Sequence, residues 1–509
     1  MLRERVVRDW SPTDQMVFNA LVPADHKLRR VADAVDFEAF RGELAGYYAP
    51  VMGRPGDPLL MVKVIFLQFF YSLSDRQIIE RLQTDIAARW FLGLGLDDTP
   101  PDSSTLSVFR SRLGVEGTQR VMDQLIRQCR DQGLLKYRLR LKDATHVVAD
   151  VAVPATLTLL AEIRNRLLSV ARPFVPDLVV AAESRMAEIR ATTEGRGDGE
   201  RLIPRAALLR EILAWANKVE RPAEADQTAW TRFEQARALA EKIVGEAENP
   251  EAGDRTRSVH DSDVRRGKHG EYFDGYLVDV LMDPDSEIIT GVNLLAANGA
   301  EGADAVTLIR HEESVTGQDV AAMSIDGAGF DGKLLRELQD PKDLNMDVYV
   351  PYKEPTTPEG FSPVDFIEDS ERKVVTCPAG QTSHYRQREE TRHATIYRFT
   401  RVTCESCPLR DRCLGRVPKG PFGRSVRKSD YETEYQAVRA KMATHEYIAV
   451  KKEHPKIERK LSELVRRHGA RRARYRGLLK VLCQQLWIAV TVNIKRMVTI
   501  GAGARPANA

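Results

Sequence analysis

The feature that most constrains this chain is an interrupted strand pattern. Residues 138–153, RLRLKDATHVVADVAV, alternate and are rich in valine, which predicts a strand beginning near Leu139. A long stretch of helical periodicity follows, from about 155 to 250, broken by EGRGDGE (194–200) and ERPAEAD (220–226) into four helices. Strand signals then resume in EYFDGYLVDVLMDP (271–284) and SEIITGVNLLAAN (286–298), a hairpin turning at DPDS. The helical GADAVTLIRHEES leads to DVAAMSIDGAGFDG (319–332), read as strand, turn and helix, and YVPY (349–352) supplies a last short strand. This order predicts a mixed α/β core with a helical insertion at 155–255.

The remaining segments divide by composition. At about 150 residues per domain, 509 residues imply roughly three domains. Residues 1–137 read as an N-terminal helical DNA-binding domain. Apolar residues recur at helical spacing through Leu59, Val62, Phe66 and Phe70, and Ser74 is placed to cap the next helix. After two prolines, Asp102 or Ser103 caps a short helix carrying Arg110 and Arg112. Short helices with polar turns suit a helix-turn-helix module, and equally a generic helical domain. Residues 138–154 and 256–352 form the two parts of the core. Residues 353–430 are a Cys-rich, irregular insertion, 431–500 a basic helical part of the core, and 501–509 a tail.

Bulk properties exclude several classes. With 43% hydrophobic and 29% charged residues the chain is globular rather than disordered or fibrous. The 76 basic and 73 acidic residues leave a net charge of +3, so any surface for nucleic acid must be local. The start, MLRERVVRDWSP, lacks the apolar region of a signal peptide. The most apolar stretch, 59–73, is broken by Lys63 and Gln68 and falls short of the ~20 residues of a membrane span. The expectation is a cytoplasmic protein with no membrane partner.

Three acidic residues could carry chemistry. Asp143 lies within an apolar strand and Asp326 at the end of another, followed by Gly327. A buried carboxylate is costly unless paired or metal-bound. Two on separate strands of one sheet could share divalent ions, although a single such Asp is usually a loop cap. The third lies in HPKIERKLSELVRRHG (454–469), where Ile457, Leu461, Leu464 and Val465 form a helical stripe. Glu458 lies at the edge of that stripe, and Glu463 points nearly opposite. Glu458 is therefore the candidate, against the plainer reading that both are solvated helix charges.

These residues sit in segments that together resemble the DDE transposases of bacterial insertion sequences, in particular the branch labelled eleven-eighty-two. FLQFFYSLSDRQIIERLQTDIAARWFLGL and PDSSTLSVFRSRL resemble that family's helical domain. DATHVVAD resembles the first-Asp segment, SVHDSDVRRGKHGEYFDGY the DPDAR-then-GYK passage, SIDGAGFDG the second-Asp segment, and IERKLSELVRRHGARRARYRGLLK the third-acid helix with its RRARYRG signature. The resemblance implies an RNase H-like core whose catalytic and metal-binding acids are Asp143, Asp326 and Glu458. It implies two Mg²⁺ or Mn²⁺ ions, DNA nicking by activated water, and joining of 3′-OH ends to target DNA by transesterification. The partners implied are double-stranded transposon ends and target DNA, with a homodimer or higher assembly on DNA and a nucleoid-associated location. The alternatives are a catalytically silent DNA-binding derivative and a structure-selective nuclease that cuts without joining. Two positions depart from the pattern: Asp279 stands where the family has His, and Phe330 where it often has Tyr.

Six cysteines are too few for a disulfide framework. Cys404 and Cys407 form a CxxC turn, with Cys377 27 residues before it and Cys413 six after. The four could hold a structural Zn²⁺ tetrahedrally, with His384 and His393 as fallback ligands, or remain unliganded thiols. The eleven-eighty-two branch often carries a similar stretch. Cys129 and Cys483 lie in apolar helical contexts and read as core.

Between Lys456 and Lys480 ten Lys or Arg stand against two Glu. A solvated helix face is the usual source of such a run. Here Arg471, Arg472, Arg474, Tyr475, Arg476 and Lys480 follow Gly469 in a turn-rich stretch suited to phosphate contact and stacking. Recognition of the transposon ends is expected in the N-terminal helices, with Arg110 and Arg112 participating.

Overall fold

The computed structural model describes residues 10–48, 56–248, 253–352, 360–369, 371–414 and 420–503. The segment 1–9 and most of the 501–509 tail therefore lie outside the described residues. A mixed sheet forms the centre. Its strands are β1 (Arg140–Val148), β2 (Arg265–His269), β3 (Glu271–Met282), β4 (Ile289–Ala296), β5 (Ala322–Ile325) and β6 (Asp347–Tyr349). β3 pairs antiparallel with β1 on one side and with β2 and β4 on the other. β5 lies parallel to β1, and β6 parallel to β5. The expected hairpin is β3–β4. β2 carries no strand signal of its own, because RRGKH has no apolar alternation and acquires strand structure only by pairing with β3.

Alternation on β1 divides the molecule. Leu141 and Val147 belong to a large core with Val278 and Val280 of β3 and Trp487 of the C-terminal helix Leu478–Gly503. That core also contains Leu28, Phe66, Leu106 and Leu125 of the N-terminal helices, so these helices and the sheet share one apolar interior. On the other face, Leu281, Met323 and Ile325 pack against Ala305–Thr316 and Gly332–Leu338. Arg140 ties the start of β1 to that second layer. It is fully buried and pairs with Glu312 at 2.6 Å and Asp283 at 3.0 Å.

The N-terminal helices follow their capping signals. Ser74 and Gln77 form a reciprocal capping box at the start of Asp75–Thr84. Asp102 caps Ser103–Asp131, which is far longer than the short helix expected there; Gly114, at φ +57°, kinks it and divides the Arg110–Arg112 segment from the rest. No single helix among the described residues is long and apolar enough to cross a membrane. Pro58–Phe70 and Asp75–Thr84 would qualify only together, and they meet at a 104° bend.

Two insertions leave the sheet. The four expected helices of the first are Thr156–Ala171, Pro176–Thr192, Asp198–Ala216 and Gln227–Glu248, with a separate core that includes Ile163, Leu209 and Phe233. The second is more regular than its Pro-, Gly- and Arg-rich composition suggests. Two three-stranded antiparallel sheets, 367–383 and 385–429, pack around Phe366, Val375, Tyr397, Phe399 and Val426. Cross-strand pairing there supplies order that periodicity over strands of two to eight residues does not signal.

Trp487 is 1% exposed within the shared interior. Trp487→Ala should cost about 3–5 kcal/mol. Calorimetry with helix- and strand-sensitive probes should show the N-terminal helices and the sheet losing stability together, while the separate core of the first insertion is unaffected.

Candidate active site

The β1–β5 register builds the site. Its last pair is Lys142 with Ile325, so the next residue on each strand is Asp143 and Asp326. Neighbouring strands lie ~4.8 Å apart, which brings the two carboxylates to adjacent positions. β5 ends there, whereas β1 runs on to Val148.

Helix Pro455–His468 supplies the third acid. Ile457, Leu461 and Leu464 are buried in the core beneath the Asp143 face of the sheet, and Glu458 stays exposed in the first turn. Glu463 is engaged elsewhere, accepting from Lys460 at 2.8 Å. Burial pushes the Asp143 carboxyl up to about 7, and the negative charges of Asp326, Glu458 and Glu301 push in the same direction. Asp326 and Glu458 thus lie within electrostatic reach of Asp143.

Two further groups border the acids. Glu301, in the loop after β4, contributes to the field at Asp143 and lies 3.8 Å from His269. Lys451, on helix His445–Glu453, donates from Nζ to the Ile325 carbonyl at 2.6 Å and to Ser324 Oγ at 3.2 Å. Burial pulls its ammonium down to about 8, opposed by Asp326 and Asp143. Neither is legible in the sequence, since Glu301 sits in a Gly-rich turn and Lys451 in an unremarkable run of charges. Behind Asp143, Lys142 is buried with Asp279 at 2.8 Å and Asp304 at 3.1 Å. Asp279, the departure from the family pattern, therefore serves an internal ion triad. Phe330 packs against Tyr352 and Tyr435.

The basic segment is fastened to the free edge of β1. Val148 donates to the Arg471 carbonyl at 2.8 Å and accepts from the Ala473 N–H at 2.9 Å. Some of the expected DNA-binding residues are occupied in building this seat. Arg110 pairs with Asp75 and Gln68, with its guanidinium 5.3 Å from the Tyr475 ring. Arg471 donates to the His146 carbonyl, and Arg474 to that of Leu73. Arg112, Arg472, Arg476 and Lys480 are exposed, although Arg112 lies over Tyr48 and Arg476 reaches the Asp150 carbonyl.

Cys377, Cys404, Cys407 and Cys413 line one small cavity with Phe366, Phe399 and Arg424. Cys404 Sγ accepts from the Arg424 backbone N–H at 3.4 Å. A Cβ at position 423 would fall 2.6 Å from that sulfur, so Gly423 permits the approach. Burial pushes the Cys404 and Cys413 thiols up, and the neighbouring thiols add to the effect. His384 and His393 do not line this cavity. Cys129 is fully buried, its thiol pushed up to about 12, and Cys483 is half-buried. Among the described residues no group of three or more His, Cys, Asp or Glu side chains is arranged so that it could hold a metal ion. At the acid site the donor types, carboxylate oxygens, are nevertheless those that hard divalent cations take.

Sequence comparison bears on what this arrangement of acids is for. Residues 16–112 match a family described as a transposase domain, and residues 376–498 match the transposase DDE domain, which takes in Glu458 and the four clustered cysteines. Over these two segments the chain is similar to the DDE transposases of insertion sequences. It is also 29% identical over 107 residues to an uncharacterized protein, ORF8 in the nfe locus of Rhizobium meliloti. That similarity covers 20% of this chain, and the chain spans about half (51%) of the relative's length. No solved structure matches.

The state of Asp143 has a measurable consequence. Its folded pKa of about 7 lies above its ordinary value, so its proton favours the folded metal-free protein. That contribution is full below about pH 4 and is lost as pH rises through 7. The metal-free Tm should therefore fall across this range more steeply for wild type than for Asp143→Asn. Equal slopes would show that Asp143 titrates normally.

Proposed function

We propose that this transposase binds the inverted-repeat ends of an insertion sequence, cuts the DNA, and joins the resulting 3′-OH ends to target DNA. The observation that carries the reading is the β1–β5 register, which sets Asp143 beside Asp326 with Glu458 on the flanking helix. The strand order β4-β3-β1-β5-β6, antiparallel across its first three members and parallel across its last three, supports an RNase H-like core.

DDE domains generally use divalent metals, and Asp143, Asp326 and Glu458 would hold two Mg²⁺ or Mn²⁺ ions that polarise the phosphate and activate water or a 3′-hydroxyl. Asp143 must release its proton to serve as a ligand, which ties metal uptake to pH. The pairing of 471–473 with β1 seats Arg472 beside Val148, at the far end of the strand that carries Asp143, and Arg476 and Lys480 extend the exposed cationic surface. These cations would neutralise DNA phosphates. Arg110, Arg471, Arg474 and Tyr475 act from behind, orienting that surface. Arg112 is left as the N-terminal candidate for contact with the transposon ends. Bringing two ends together calls for a homodimer or higher assembly, working at the nucleoid.

The four-cysteine cavity supports a structural Zn²⁺ site in the second insertion. A tetrahedral tie among Cys377, Cys404, Cys407 and Cys413 would fasten two short helices to small sheets that have only a modest apolar core.

The primary test is strand transfer with labelled end DNA, a target plasmid, and Mg²⁺, Mn²⁺ or EDTA. Asp143→Ala, Asp326→Ala and Glu458→Ala should each lower cutting and joining about a thousandfold or more while DNA binding persists. Glu463→Ala should retain activity, and the reverse result would transfer the third role to Glu463. Cutting without joining would favour the nuclease alternative, and binding without cutting the silent one. For the cysteine site, Cys404→Ser with Cys413→Ser should abolish bound zinc and remove hydrogen-exchange protection from 385–429 while leaving the central sheet protected. Equal protection with and without metal would remove the zinc reading.

A further inference from the structure

The first helical insertion contains a buried charge with no opposite charge to meet it. Arg164, on Thr156–Ala171, is 3% exposed. Its guanidinium donates to the Met186 thioether and to Asn165 Oδ1, both at 2.8 Å and both neutral acceptors. The charged groups that bear on it are Arg190, from the facing helix, and Arg205, from the next one, and both are cations. Burial of a guanidinium is strongly unfavourable unless an anion or hydrogen-bonding partners compensate it.

A cavity of 460 Å³ opens beside this group, between Thr156–Ala171 and Pro176–Thr192. Arg164, Arg172 and Arg190 line it. Its one acidic lining residue, Glu183, is taken by Arg172. The site therefore offers an excess of positive charge, a desolvated floor and room for a hydrated tetrahedral anion. Guanidinium forks match phosphate oxygens in geometry as well as charge.

We propose that the helical insertion carries a phosphate-binding site, with Arg164 at its floor, Arg190 on its wall and Arg205 adding positive field from the next helix, and that it takes a backbone phosphate of duplex DNA. The choice of DNA as the source rests on the DNA-joining function above; the anion site itself does not. The insertion thereby becomes a second DNA-holding element, separate from the cationic edge at 471–480.

The test uses the full-length protein in chloride buffer. Inorganic phosphate should raise the wild-type melting temperature in a saturable way. Arg164→Met should not respond, yet should melt no lower than wild type without phosphate, because the deleted charge is buried against neutral acceptors and other cations. Arg190→Ala with Arg205→Ala, a more conservative change for folding, should also lose most of the response. With random-sequence duplex, this double variant should bind several-fold more weakly at 0.1 M salt, and its log–log salt slope should be shallower by about one for each phosphate it no longer neutralises. No wild-type response to phosphate would overturn the site. A phosphate response with unchanged duplex affinity and slope would assign the site to a free phosphate and overturn the DNA source. None of these measurements requires cleavage. A phosphate response in a protein that never cuts DNA would count against the transposition reading alone, and active protein indifferent to phosphate would count against this site alone.

Discussion

Carboxylates brought together at a site repel one another, so something must hold them in place. The backbone does, through parallel hydrogen bonding between β1 and β5 that ends at Lys142 and Ile325, one residue short of the acids. Everything else reinforces that pair. Arg140 anchors the start of β1, Lys142 secures its reverse face through Asp279 and Asp304, and segment 471–473 takes over the edge that β5 leaves open. A slip of one residue along β1 would turn Asp143 into the opposite layer and bring Lys142 to the site.

Because the sheet is closed by these local fastenings, it tolerates large interruptions. The first insertion leaves after β1, and its buried residues form their own cluster. The second leaves after β6 and surrounds a small core with four cysteines at its edge. Closing a longer loop adds little entropy cost, since the cost rises only with the logarithm of length. Segments with independent cores can thus be carried without distorting the acids. The same independence allows each insertion to bear its own binding chemistry.

Much of this plan is legible in the sequence wherever pattern and structure share a period. The alternation around Asp143, the β3–β4 hairpin, the Ser74 cap and the four helices of the first insertion all follow local rules. Glu458 is separable from Glu463 because the apolar stripe of one helix orients both. What escapes depends on partners distant in sequence. β2 exists through pairing with β3, the small sheets of the second insertion through cross-strand contacts, and the place of Lys451 through a hydrogen bond to Ile325. Arg110 and Arg474 read as surface cations because composition does not reveal that Asp75 and the Leu73 carbonyl meet them. Arg164 is one more charge on an amphipathic helix until packing buries it.

The C-terminal helix Leu478–Gly503 shares its interior with the N-terminal helices and the central sheet. A chain emerging from the ribosome therefore presents Pro58–Phe70 long before the helix that covers it has been synthesised. The first insertion, which draws its core from within its own span, can compact early. The central sheet must wait for the segment that begins at Leu478. Assembly of the acid site thus waits on a helix far downstream of it in sequence, and a product truncated before Leu478 lacks the completed core on which that site rests.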